Sequence, residues 1–263
     1  MIFGSNSEEG SIFALGTYLT PIISPANYSA FLNTNFGPAA SLVAKEYPLS
    51  LPAFNSTSFP EFEAINTILT QTQFHCPVYQ AMLKAQANNI PVYTYLNSHT
   101  PSCQWSSILK TAALPLAGAT HTSEIPYIFG NGVGLPLPGG NCSFTAQEHA
   151  ISEDLIAAWT SMAMTGTPSV QGGIQWPQWE NSTSMGVSIA NDATVGAVNF
   201  SQCAFWNMID NTYLNFTNSG VNTTGGNGST GGGKKNDAMI GVEMRAWQLT
   251  LAFGVVASVL IIS

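Results

Sequence analysis

The chain has 263 residues, enough for one ordinary domain with a sizeable core. Only 8% of them are charged, against a usual share of about 25%. Residues 1–233 carry twelve acids and three bases (Lys45, Lys84, Lys110), a net of −9, because Lys234, Lys235 and Arg245 all lie near the end. That argues against nucleic acid, which needs clustered basic side chains to neutralise phosphates, and against a polybasic membrane patch.

Taken in chain order, the predicted elements give an α/β pattern. Residues 1–3, an apolar run before Gly4, read as a short buried strand, with Glu9 following outside any helix. Ser58-Phe59-Pro60-Glu61 has the form of a capping box with proline at the first helical position, opening a helix to about Gln71. A second helix is expected over 78–87, and IPVYTYL (90–96) is rich in β-branched and aromatic residues, as a buried strand would be. His121 sits in a small-residue turn after the apolar stretch LPLAG, where a strand end would present an imidazole to a cleft. Thr145-Ala146-Gln147-Glu148 is another capping box, after which Ile151, Leu155, Trp159 and Met162 fall on one helix face. That helix stops near Gly166, with Pro168 just beyond. Residues 185–190 alternate loosely like a strand, 202–209 form a short helix, and the compact body ends near Phe216.

From 217 to 237 a Gly/Ser/Thr/Asn-rich stretch is too poor in apolar residues to pack and reads as a stalk. The last eighteen residues from Ala246 carry no charge, approaching the roughly 20 residues of a membrane-spanning helix; a buried core helix is the alternative. Asn236-Asp237-Ala238, the spacer MIGVEMRA and the apolar end reproduce the order of a glycolipid (GPI) anchor signal. Attachment is then at Asn236, or alternatively at Gly233 or Ser229, with 238–263 as propeptide. The lack of basic residues after the tail favours the anchor over a spanning helix. An anchored, secreted protein needs a basic and then apolar leader, whereas IFGSNSEEGS follows Met1. The two ends conflict unless the front of the protein is missing, as in a truncated gene model or a fragment.

Eight Asn-x-Ser/Thr sequons, at Asn27, Asn55, Asn141, Asn181, Asn199, Asn215, Asn222 and Asn227, offer glycans as the solvating groups that charge does not supply. Cys76, Cys103, Cys142 and Cys203 match no metal-binding spacing and suit two disulfides in an oxidising compartment. Both features fit the secretory pathway and the extracellular face of a plasma membrane or cell wall.

Of the four histidines, His75, His99 and His149 read as structural or exposed, while the turn GATHTSEIPYIFG (118–130) singles out His121. A general base there needs a carboxylate to orient its ring and stabilise the imidazolium. Glu9 is the best-placed acid outside a helix.

GSNSEEGSIF (4–13) followed by GATHTSEIPYIFG resembles the type B carboxylesterases, the α/β hydrolases that include cholinesterases and fungal lipases. VYTYL with His99 after it, WTSMAMTGTPS, WPQW and CAFWN extend the resemblance over roughly residues 1–210. The resemblance implies the C-terminal part of an α/β-hydrolase fold, a mostly parallel sheet flanked by helices. It makes Glu9 the acid and His121 the base of a Ser-His-Glu triad acting on small-molecule or lipid esters, with no cofactor and no metal. It also implies a disulfide between Cys76 and Cys203, which leaves Cys103 with Cys142 bracketing the His121 segment, or those two free.

The family's order places the nucleophile upstream of the acid. No G-x-S-x-G elbow occurs in this sequence, and neither does an HGGG-type oxyanion segment. With neither, the 263-residue chain is expected to be inactive by itself. A non-catalytic adhesion or scaffold protein on the same fold is the alternative, disfavoured because both Glu9 and His121 are present.

Overall fold

The computed structural model describes residues 1–109 and 111–214. It divides into two compact units, one of Met1–Ile23 with Leu49–Cys203, the other of Ser24–Pro48 with the described part of Ala204–Ser263.

The first unit is built on a four-stranded sheet of β1 (Ile2–Asn6), β2 (Tyr93–Asn97), β5 (Met185–Ile189) and β6 (Ala193–Ala197), in that spatial order. β1, β2 and β5 run parallel, with Ile2 opposite Tyr93 and Tyr95 opposite Val187, and β6 returns antiparallel to β5. A parallel sheet is covered by helices, so its strands carry apolar and aromatic residues rather than a polar face. Tyr93, Tyr95, Val187 and Ile189 accordingly join Ile151 and Leu155 in one buried cluster. These last two come from α9 (Ala146–Thr165), which opens on the expected Thr145/Glu148 capping box and closes on Gly166 at φ +77°. A positive φ suits glycine, which has no Cβ to clash with the carbonyl. β3 (Val133–Leu135) and β4 (Cys142–Ser143) form a separate small hairpin.

α1 (Ser11–Tyr18) packs on α5 (Pro60–Thr70), whose Phe62, Ile65 and Ile68 are fully buried. α5 passes through a π-helical turn at Gln71–His75 into α6 (Cys76–Ala87). Cys76 is bonded to Cys203, and Cys103 to Cys142, so the pairing implied by the resemblance is the one present. In the second unit Ser24 caps α2 (Pro25–Phe36) through the Asn27 N–H, and Tyr28 donates to the Tyr47 carbonyl just past α3 (Ala40–Glu46). The Trp206 ring of α10 (Cys203–Ile209) packs on Phe36 and Tyr47.

Two local expectations are corrected. The Ser58 box does not form: Phe59 occupies the N-cap without a side-chain hydrogen bond, while Glu61 and Glu63 lie in the first turn, where acids favour the helix dipole. LPLAG is no strand; α7 (Leu114–Ala117) is a single helical turn ending at Gly118, with φ +60°. α4 (Pro52–Asn55) and α8 (Ile125–Ile128) are equally short. Residues 217–263, with the expected stalk, Asn236 and the apolar tail, lie outside the described residues. Among those described, no helix is long and apolar enough to cross a membrane.

Candidate active site

The two residues that the sequence pairs across 112 positions meet: His121 Nδ1 lies 2.7 Å from Glu9 Oε2. Glu9 stands in the turn between β1 and α1, and its other oxygen accepts the Asn6 backbone N–H at 2.7 Å. Because a carboxylate only accepts, Nδ1 carries the ring proton and Nε2 is left with a lone pair. That nitrogen has no hydrogen bond among the described residues. The Glu9 side chain is 5% exposed and that of His121 29%, so the acid is sealed and the imidazole reaches the surface of the unit.

Backbone contacts fix both turns. Gly10 lies so close to α5 that a Cβ there would stand 2.3 Å from the Asn66 carbonyl oxygen and 2.7 Å from Leu69 Cβ. Its N–H donates to Thr70 Oγ1 at 2.9 Å. On the histidine side, Ser11 Oγ donates to the Ala117 carbonyl and bonds Thr120 Oγ1, both at 2.7 Å. The Ala119 N–H donates to Glu8 Oε2 at 2.9 Å, and the Ser7 hydroxyl donates to the same oxygen. Phe13 and Phe74 flank the imidazole, with centroids 5.5 and 4.9 Å from it.

Burial works against the His121 imidazolium, but the Glu9 hydrogen bond and charge, aided by the charge of Glu124, outweigh it and carry the group above its ordinary value. Burial pulls His75 below its ordinary value, against its bond to the Asn6 carbonyl (3.0 Å) and the charge of Glu9. Burial raises Glu8 as well. Such an arrangement orients one histidine tautomer and stabilises the imidazolium that forms when Nε2 takes a proton.

The remaining histidines differ. His99 faces the Ala190 carbonyl with Nδ1 (2.8 Å) and Glu148 with Nε2 (3.3 Å). His149 is exposed beside the Phe144 ring. No group of three or more His, Cys, Asp or Glu among the described residues could hold a metal ion. Asn6 and Glu124 lie inside the two motifs with no task that the sequence alone assigns, and Phe74 lies outside both. The three-residue steps Asn6–Glu9 and His121–Glu124 were the available signal, since each fits within one turn.

Comparison with known proteins gives a family model, described as the carboxylesterase family, matching residues 1–206. An acetylcholinesterase of Bungarus fasciatus is 30% identical over 160 residues, 59% of this chain and 24% of the relative. An acetylcholinesterase of Gallus gallus is 29% identical over 185 residues, 68% of this chain and 22% of the relative. A para-nitrobenzyl esterase of Bacillus subtilis (strain 168) is 26% identical over 196 residues, 74% of this chain and 35% of the relative. The chain thus spans between about a fifth and about a third of the length of these relatives.

Proposed function

Because the chain belongs to the carboxylesterase family, we propose that it is the C-terminal portion of a serine carboxylic ester hydrolase, with His121 as general base and Glu9 as the acid that orients it. The 2.7 Å bond between Glu9 and His121 Nδ1 is the observation that carries this reading. In the complete enzyme a serine outside these 263 residues loses its proton to His121 Nε2 as it attacks the ester carbonyl. His121 then protonates the departing alcohol, and a water repeats the cycle on the acyl-enzyme. Glu9 keeps the Nδ1–H tautomer throughout and does not itself take the proton. Small-molecule or lipid esters are the substrate class, and Phe13 and Phe74 give the base an apolar surround.

The 263-residue chain should hydrolyse no p-nitrophenyl ester above buffer, and the protein completed with a family nucleophile segment should do so and lose turnover on His121→Ala. Turnover by the 263-residue chain that His121→Ala abolishes would overturn the assignment of the nucleophile.

Location follows from the same reading. The five described sequon asparagines, Asn27, Asn55, Asn141, Asn181 and Asn199, are all exposed, as glycan carriers must be, and two disulfides suit an oxidising compartment. Residues 217–237 are a stalk and 238–263 an anchor signal cleaved after Asn236, placing the body on the outer face of a plasma membrane or in a cell wall. Phosphoinositide-specific phospholipase C should release the complete protein from intact cells. Retention with a C-terminal peptide ending at Ser263 would make the tail a membrane-spanning helix instead.

A further inference from the structure

Asn6 is completely buried, and each of its four polar groups meets a different residue. The backbone N–H donates to Glu9 Oε1 at 2.7 Å and the carbonyl accepts from His75 Nε2 at 3.0 Å. The side chain donates through Nδ2 to Glu124 Oε2 at 2.6 Å and accepts through Oδ1 from Asn97 Nδ2 at 2.7 Å. Rotating this amide by half a turn would set Nδ2 against the Asn97 donor and Oδ1 against a carboxyl oxygen. The amide is therefore locked, and through it Glu9 and Glu124 are held on either side of one residue. Glu124 also ends the turn that begins at His121, so one carboxyl group bears on both members of the pair.

We propose that Glu124 is a positioning residue of the Glu9–His121 pair: through the Asn6 amide it steadies the strand end that orients Glu9, and by gaining or losing a proton it changes the charge that His121 meets. The role rests on the reading of Glu9 and His121 as an acid–base pair. Two carboxylates around one buried residue cannot both ionise freely. Burial, then the charge of Glu9, push Glu124 up to about 7, against the Asn6 hydrogen bond and the charge of His121. Against burial, the Glu9 hydrogen bond and charge, with the charge of Glu124, raise His121, so the protonation of each group bears on that of the other. The other ionisable groups around them are Glu9 from the β1–α1 turn, Tyr95 from β2, and, across Asn6, His75 from the π-helical turn. Glu8 is engaged by Ser7 and Ala119.

The test is a pH titration of the 263-residue chain by NMR, with isotope labels on the histidine rings and glutamate carboxyls. In the unaltered chain the His121 curve should show two inflections, one coinciding with that of the Glu124 carboxyl. Glu124→Gln keeps an acceptor for Asn6 but carries no charge, so His121 should move to lower pH and lose the second inflection. A folded Glu124→Gln chain whose His121 curve superimposes on the original overturns the proposal. If that variant does not fold, the unaltered chain decides: a Glu124 inflection with no counterpart on His121 overturns it, and a shared inflection sustains it. Glu9→Gln in parallel separates this role from the reading beneath it, because an unchanged His121 in that variant refutes the acid–base pair itself.

Discussion

The first unit contains two histidine–glutamate pairs made from the same side chains and bonded to very different extents. Glu9 receives two hydrogen bonds, from Asn6 and His121, and its histidine keeps Nε2 uncommitted among the described residues. Glu148 receives six: His99, the Ser102 N–H and Tyr127 on Oε1, and the Ser102 hydroxyl with the Thr145 N–H and hydroxyl on Oε2. Its histidine uses both nitrogens, and the two side chains are 10% and 1% exposed. Burial alone would raise Glu148, but the bonds from His99, Ser102 and Thr145 reverse the sign and hold it well below the usual carboxylate range. The pair proposed to move a proton leaves one nitrogen open; the pair that ties chain segments together leaves none.

The largest expected effect that sharpens this contrast is on rate. In the completed enzyme Glu9→Gln should lower kcat by about ten thousand-fold through the wrong tautomer, with the change in melting transition confined to the pH range in which His121 is protonated. Steady-state kinetics beside a thermal melt would check both halves. Glu148→Gln should do the reverse. One of its oxygens becomes an amide nitrogen facing donors, so stability should fall by about 3–5 kcal/mol in denaturant titrations while the His121 titration stays put. If that titration moves, the two pairs are not independent. Replacing Cys103 and Cys142 by serine removes a crosslink spanning 39 positions and should cost about 2–4 kcal/mol, read in the same way. Thr145→Ala deletes a helix cap and should cost about 1 kcal/mol.

The pairs should also differ in which side of the pH profile they shape. His121 is raised above 6.5 in the fold, so its stabilisation is complete below that value and lost as pH rises through the folded one. Glu148 is depressed below 4.5, so its contribution is present above that value and lost as pH falls through the depressed one. Glu9→Gln should therefore flatten stability above about pH 6.5, and Glu148→Gln below about pH 4.5. The same limb flattening in both variants would erase the distinction.

How much of this was legible depended on how local the signal was. The Thr145 box, the Gly166 stop and the apolar stripe through Ile151 and Leu155 act within a few residues, and the structure has them where the sequence places them. The two carboxylesterase motifs brought Glu9 and His121 together because each motif is a short turn set at the edge of the core. By contrast, Ser58 had the chemistry of a cap, but the cap position passed to Phe59. The helices of 24–48 went unread although Ser24 and Pro25 form a legitimate start and Tyr28, Leu32 and Phe36 recur every four residues. The six donors around Glu148 come from four residues in three stretches of chain, and beyond the Thr145 box no spacing rule announces that His99, Ser102 and Tyr127 converge there.

The seat of Gly10 on α5 gives anyone redesigning this protein a handle that touches no reacting group. Since Asn66, Leu69 and Thr70 stand where a Gly10 side chain would have to go, the turn bearing Glu9 takes its height from the surface of a helix more than fifty residues away in the chain. Trimming or enlarging Leu69, or exchanging the Thr70 hydroxyl for a methyl group, tilts that turn as a shim tilts a hinge. A mutant library meant to retune the histidine should therefore include residues 66–70 of α5 and leave Gly10 alone.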